Sequence, residues 1–254
     1  VKIYGLGGNI MKAIILAGES PQDIETFGQG KALIHFNDRP LIQYTIDALV
    51  QSGLVEEILV IGNKEVLSPR IGYKVDKIID GNKELLDNLI TALSYFPQEE
   101  NLLIATCDIP FIGGEAVSNF IKEAHSLQAD LYYPIIRRAV CEQRYPAAKR
   151  TYISMKDGEF TGGNLIMVNP QKIMFMEDEI RLLITHRKNP IKMLKALGPS
   201  LVVKMLAKRL TIKDLEKYIE EKFGIKGRAF VTPYPEVGTD IDRLEDIKIL
   251  EKYI

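Results

Sequence analysis

The chain predicts an α/β fold: a doubly wound, mostly parallel sheet between two helical layers, with a helical insertion late in the sequence. Three observations carry this expectation. From Met11 to Ile136, short apolar runs alternate with stretches of helical spacing. Gly, Pro, Asn and Asp punctuate the joints between them. Beyond that point the pattern changes to a hairpin, which makes the sheet mixed, and then to a long stretch with helical character.

Residues 13–16 form the first buried strand, ending at Ala17-Gly18, and a polar loop leads to Lys31. Residues 41–52 carry apolar side chains at helical spacing (Leu41, Ile42, Thr45, Leu49) and stop at Gly53, a good C-terminal cap. Residues 57–61 and 75–79 are the next strands, and Asp80-Gly81-Asn82 is a turn. A helix over 83–96 is stopped by Pro97. The apolar strand 101–106 delivers Cys107-Asp108 at its carboxyl end. A helix over 114–127 and a strand over 130–136 follow, then a hairpin over 150–160 turning at Asp157-Gly158. Residues 165–168 are a strand and Pro170 starts a helix. Residues 171–225 read as helical. Residues 228–231 return to strand, 237–241 read as a last short one, and 243–253 as a closing helix.

At 254 residues the chain is read as an N-terminal extension (1–10) ahead of Met11 and one domain over 11–254, with the helical insertion at about 171–225. Gly5, Gly7 and Gly8 hint at a dinucleotide fingerprint, but the third glycine falls at Ile10 and no adequate strand precedes it. Hydrophobic content of 46% and charged content of 26% are ordinary for a soluble globular protein. A net charge of −1 gives no reason to expect nucleic acid as a partner. No apolar run is long enough for a membrane span, and no signal-peptide pattern is present. Two cysteines without a CxxC fit a reducing cytoplasm.

Several residues can carry chemistry, each with a plainer alternative. Leu16, Ala17 and Gly18, with Lys31 beyond, can wrap phosphates in backbone N–H groups and neutralise their charge. Asp108 lies where open α/β sheets bind ligands; it can hold Mg²⁺ or cap the next helix. Asp240 and Asp242 alternate, so in extended chain both face one side, suited to a hard cation or to capping the last helix. Gly162, Gly163 and Asn164 either let backbone approach a ligand or form a plain turn. Gly81 and Asn88 open a helix after a strand and can contact a base or ribose. His35, His125 and His186 lack zinc-ligand spacing, and Cys107 reads as packing. From Arg181 to Lys213 nine cations occur with no Asp or Glu, interleaved with apolar residues. That stretch is a solvated face, a lid over an anionic substrate, or a surface for anionic lipid.

Taken together, Leu16-Ala17-Gly18, Lys31-Ala-Leu, Cys107-Asp108-Ile-Pro110 and the Asp240 to Asp246 segment resemble the MobA-like NTP transferases, a nucleotidyltransferase family with a GT-A-like fold. The resemblance runs from Met11 to the end, outside the helical stretch. It implies a Rossmann-like three-layer α/β/α architecture and a Mg²⁺-dependent transfer of a nucleoside monophosphate from an NTP to a phosphorylated small-molecule acceptor, with pyrophosphate released. Lys31 and Asp108 would then be catalytic, and Asp108, Asp240 and Asp242 would hold the metal. Leu16, Ala17, Gly18, Lys31, Gly81 and Asn88 would bind nucleotide, and Gly162, Gly163 and Asn164 the acceptor. Two departures from the family loop stand out: Glu19 replaces a second glycine, and Thr26 stands in an arginine slot. They leave open a nucleotide-binding protein with little or no activity. A glycosyltransferase is a further alternative, although its usual Asp-x-Asp is missing at Asp108-Ile-Pro110.

Overall fold

The structure is a computed structural model that describes residues 10–186 and 189–254. The Gly5, Gly7, Gly8 pattern, most of the proposed extension, and Arg187 and Lys188 lie outside them. The chain enters through β1 (Met11–Ala17), then α1 (Pro21–Phe27), a 3₁₀ turn at Lys31–Leu33, a small hairpin of β2 (His35–Phe36) and β3 (Arg39–Pro40), and α2 (Leu41–Gln51). Next come β4 (Val55–Gly62), α3 (Lys64–Ile71), β5 (Lys77–Asp80), α4 (Leu85–Tyr95), β6 (Leu102–Thr106), α5 (Gly114–Leu127) and β7 (Leu131–Arg137). After α6 (Arg138–Arg144), β8 (Ile153–Met155) and β9 (Gly158–Gly162) form a hairpin, followed by β10 (Leu165–Val168) and α7 (Pro170–Ile173). Four helices follow: α8 (Glu177–His186), α9 (Pro190–Leu197), α10 (Pro199–Leu206) and α11 (Ile212–Phe223). The chain closes with β11 (Gly227–Val231), a 3₁₀ turn at Pro235–Gly238, α12 (Leu244–Leu250) and a last 3₁₀ turn at Glu251–Tyr253.

Nine strands form one mixed sheet in the order β5-β4-β1-β6-β10-β7-β9-β8, with β11 on β7. The pairings β1–β4, β1–β6, β4–β5 and β7–β11 are parallel. β10 is antiparallel to both β6 and β7, and β9 to β7 and β8, so only β9 and β10 run against the rest. β1 shows why the sheet is covered on both faces. Ala13, Ile15 and Ala17 enter a core with α2, α3 and α5, while Ile14 enters a second core with α4, α7 and, at its margin, α8 and α11. Period-two alternation of apolar residues on both faces is what a buried strand needs.

Most expected elements are present with shifted ends, and 114–127 and 165–168 match. Three differ. The polar loop after Gly18 holds a helix, α1, started by Pro21 and a reciprocal cap between Ser20 and Asp23 and closed by Gly28 at φ 72°. Residues 64–71 and 138–144, to which the sequence assigned no element, are helical. The expected strand 237–241 is instead a 3₁₀ turn followed by extended chain. No ladder forms there because its N–H groups bond locally, Val237 to Tyr234 O and Thr239 to Glu236 O.

Candidate active site

Parallel strands end in unpaired backbone and loops at their carboxyl edge, and the candidate residues gather there. Asp108 follows β6, which lies beside β1 in the middle of the sheet. It is only 8% exposed, and its Oδ1 is buried with no hydrogen-bond partner. The Ile241 N–H donates to the Asp108 carbonyl at 3.0 Å, which seats the C-terminal acidic segment against the end of β6. Ile241 is fully buried and anchors the alternation, so Asp240 and Asp242 turn to the same side although no strand forms. One carboxylate oxygen from each of Asp108, Asp240 and Asp242 lies within 4.8 Å of the other two.

Lys31 lies at the start of the 3₁₀ turn, and its Nζ reaches into this cluster. It stands 3.0 Å from Asp108 Oδ2, 2.5 Å from Asp242 Oδ1 and 3.9 Å from Asp23 Oδ1. Burial alone would lower the ammonium's pKa, but the charges of Asp108 and Asp242 outweigh it and raise the pKa, so Lys31 stays a cation. Asp240 shows the opposite pressure. Burial first, then the neighbouring Asp108 and Asp242 charges, push its carboxyl up to about 7. Asp23, an acid of the loop after β1, pairs with Lys31. Glu19, which stands in the place of a second glycine, lies against Gly30. It packs so close to Gly30 that a Cβ there would meet its Cγ at 2.6 Å, and it accepts from Asn63 Nδ2 at 3.4 Å.

The nucleotide candidates also come together. Leu16 and Ala17 end β1, and Gly18 faces the turn after β5. Asn88 on α4 is buried and braces that turn, accepting from the Asn82 N–H at 2.6 Å and donating to the Asn82 carbonyl at 3.0 Å. A Cβ on Gly18 would meet Asn88 Nδ2 at 2.3 Å, and one on Gly81 its Oδ1 at 2.9 Å, so both glycines are there to admit this amide. Asn88 thus shapes the wall through backbone.

Gly162, Gly163 and Asn164 stitch β9–β10 to both acidic segments. Thr106 N–H donates to Asn164 O at 3.2 Å, and Asn164 N–H to Val237 O at 2.8 Å. Gly162 admits the Tyr133 hydroxyl, and Gly163 packs on Val237 and Pro134. Two neighbours escaped the sequence reading. Tyr133 is 37% exposed, yet its hydroxyl end is enclosed, and burial with the Asp240 charge pushes it up to about 12. Arg150 donates from Nε to Gly238 O at 3.0 Å and also bonds Thr239, holding the backbone just ahead of Asp240. Neither sits in a motif, and only the fold places them here. Cys107 is buried, and burial raises its thiol further, as a packing residue.

Three carboxylates converging on one point, one with a buried oxygen left without a partner, form a donor set of hard oxygen atoms suited to Mg²⁺. The site lies at the carboxyl edge of β1 and β6, with a lysine beside it and glycine loops around it, and the fold that carries it is the GT-A-like nucleotidyltransferase fold. The model of the MobA-like NTP transferase domain matches residues 13–220, and the chain belongs to that family. Over 165 residues it is 25% identical to a "probable molybdenum cofactor guanylyltransferase" of Thermococcus sibiricus, covering 61% of this chain and 80% of that one. It is 30% identical over 106 residues to a 2-C-methyl-D-erythritol 4-phosphate cytidylyltransferase of Clostridium perfringens, covering 39% of this chain and about half (47%) of that one. A solved structure described as a hypothetical transferase from Thermus thermophilus superposes with a TM-score of 0.80 at 34% identity, over 94% of this chain and 99% of that one. The protein is therefore a nucleotidyltransferase of this family.

Proposed function

We propose that the protein is a Mg²⁺-dependent nucleotidyltransferase that moves a nucleoside monophosphate from an NTP to a phosphorylated small molecule. The observation that carries this is the convergence of Asp108, Asp240 and Asp242 beside Lys31. In the reaction an acceptor phosphate oxygen bonds to the α-phosphorus, the bond from that phosphorus to the bridging oxygen breaks, and pyrophosphate leaves with the electron pair. Mg²⁺ held by the three aspartates supplies charge neutralisation at the phosphates. Lys31 offers a second positive charge to the phosphate oxygens, where charge grows in the transition state. The Gly18 loop and the turn braced by Asn88 form a backbone wall for the nucleotide, and Gly162, Gly163 and Asn164 line the acceptor side. Holding the two reactants in line contributes about 7–11 kcal/mol in well-oriented systems.

The relatives differ in the base they are named for, guanylyl and cytidylyl, so the base is assigned by assay. Among the described residues no helix is long and apolar enough to cross a membrane. Both cysteines are free and buried, which suits a reducing compartment such as the cytoplasm. The test is pyrophosphate release with each of the four NTPs, Mg²⁺ and a set of sugar, polyol and cofactor phosphates. Release that depends on NTP, acceptor and Mg²⁺, and falls at least about 100-fold in Asp108→Asn, is the expected result. Unchanged release in Asp108→Asn would remove Asp108 from the machinery. Nucleotide binding without turnover across all acceptors would favour a binding protein.

A further inference from the structure

Helices α9 and α10 pack on each other and on α11 through a small core of Leu194, Leu197, Leu201 and Leu210. Their outer sides are unlike an ordinary solvated surface. Ile191, Val203 and Leu206 are 55%, 65% and 73% exposed. Lys192, Lys195, Lys208 and Arg209 stand exposed among them, and no Asp or Glu occurs between Arg181 and Lys213. The acids of the neighbouring α11 offset Lys204 of this stretch but are engaged away from Lys192, Lys195, Lys208 and Arg209 in the bonds the structure shows. Asp214 pairs with Lys204, Glu220 with Arg228 and Glu221 with Lys217, while Glu216 accepts from the Ala229 N–H.

Two contacts tie the chain just after this face to the sheet. Lys156 N–H donates to Leu210 O at 2.7 Å, and Ile212 N–H to Asp157 Oδ2 at 2.8 Å. Lys156 and Asp157 form the tip of the β8–β9 hairpin, which projects past Arg137 at the carboxyl end of β7. β7 runs parallel to β6, so the connection from α10 to α11 is moored on the same edge of the sheet as Asp108.

We propose that the α9–α10 face docks the protein on an anionic lipid bilayer, with the cations at the headgroups and Ile191, Val203 and Leu206 in the interfacial layer. Short amphipathic elements bind membranes by this combination of buried apolar area and charge attraction. Charge complementarity alone would also suit a soluble polyanion, but such a ligand would leave three large apolar side chains in water. The docking is independent of which nucleotide the active site uses, and it places that edge of the sheet near substrates carried in or on the bilayer.

The test is co-sedimentation of the full chain with vesicles of phosphatidylcholine alone and of phosphatidylcholine mixed with phosphatidylglycerol, at low and high salt. Two double variants of exposed residues are compared: Val203→Glu with Leu206→Glu, and Lys208→Glu with Arg209→Glu. Circular dichroism confirms that each folds. Expected are pelleting with the anionic vesicles only, weakening in high salt, and a loss of at least about tenfold in each variant, each cation being worth roughly fivefold. Three results would overturn the proposal: no pelleting with anionic vesicles at low salt; wild-type-like pelleting of the Val203/Leu206 variant, which would mean charge adsorption only; or a wild-type dimer in light scattering that the Val203/Leu206 variant dissolves, which would make the face a contact between copies.

Discussion

Asp240 is the residue whose surroundings conflict most with its usual ionised state. Its carboxyl is raised to about 7 by burial and by Asp108 and Asp242. A group raised in the folded state stabilises the fold below its unfolded pKa, near 4, and loses that contribution as the pH rises through about 7. In chelator, Asp240→Asn should therefore stabilise the protein by about 2–4 kcal/mol at about pH 8, the gain fading towards about pH 4. Urea denaturation at the two pH values measures it, and a pH-independent effect would refute the electrostatic cause. Residue identity told much of this in advance. Asp108 was legible because an acid directly after a continuous apolar strand is rare outside sites and caps. The pairing of Lys31 with Asp23 was not, because the helix that holds Asp23 had not been foreseen. Ser20-Pro21-Gln22-Asp23 carried the signal, a serine three residues before an acid with proline between.

At the scale of elements, caps and unbroken apolar runs were readable, whereas turns that depend on neighbours were not. The run from Val237 to Ile241 resembled a strand, but Val237, Gly238 and Thr239 are all buried and the Val237 and Thr239 N–H groups bond to nearby carbonyls, so no ladder forms. The glycine pair shows the same dependence. Gly162 is required by Tyr133 on β7, whose hydroxyl would stand 2.0 Å from an added Cβ. Gly162→Ala should cost about 1–3 kcal/mol, the range for overpacking, and Tyr133→Leu should recover most of it in the double variant. Additive losses in a urea double-mutant cycle would show that the contact is not the reason for the glycine.

For the whole molecule, folding assembles a cluster of like charges at the sheet edge, offset in part by Lys31. On the proposed function Mg²⁺ would bind this arrangement and not the unfolded chain, so it should raise the melting temperature, contributing about 2.7 kcal/mol at a concentration of one hundred times Kd. Asp108→Asn should abolish the shift. A shift that survives the substitution would place the ion elsewhere.

The order of apolar strands and amphipathic helices determines the layered α/β architecture before any contact is known, because burial on two faces leaves few other solutions for such a pattern. The residue types likewise mark Lys31, Asp108, Asp240 and Asp242 as candidates for phosphate and metal. The meeting of those groups rests on tertiary structure alone. A hydrogen bond from Ile241 to Asp108 joins segments far apart in sequence, a local helix sets the path to Lys31, and two contacts at a hairpin tip moor the connection that follows the basic helices to the edge that holds the site. Local periodicity encodes which face of an element is buried. It does not encode which distant backbone group will satisfy which, and that pairing is what builds the site.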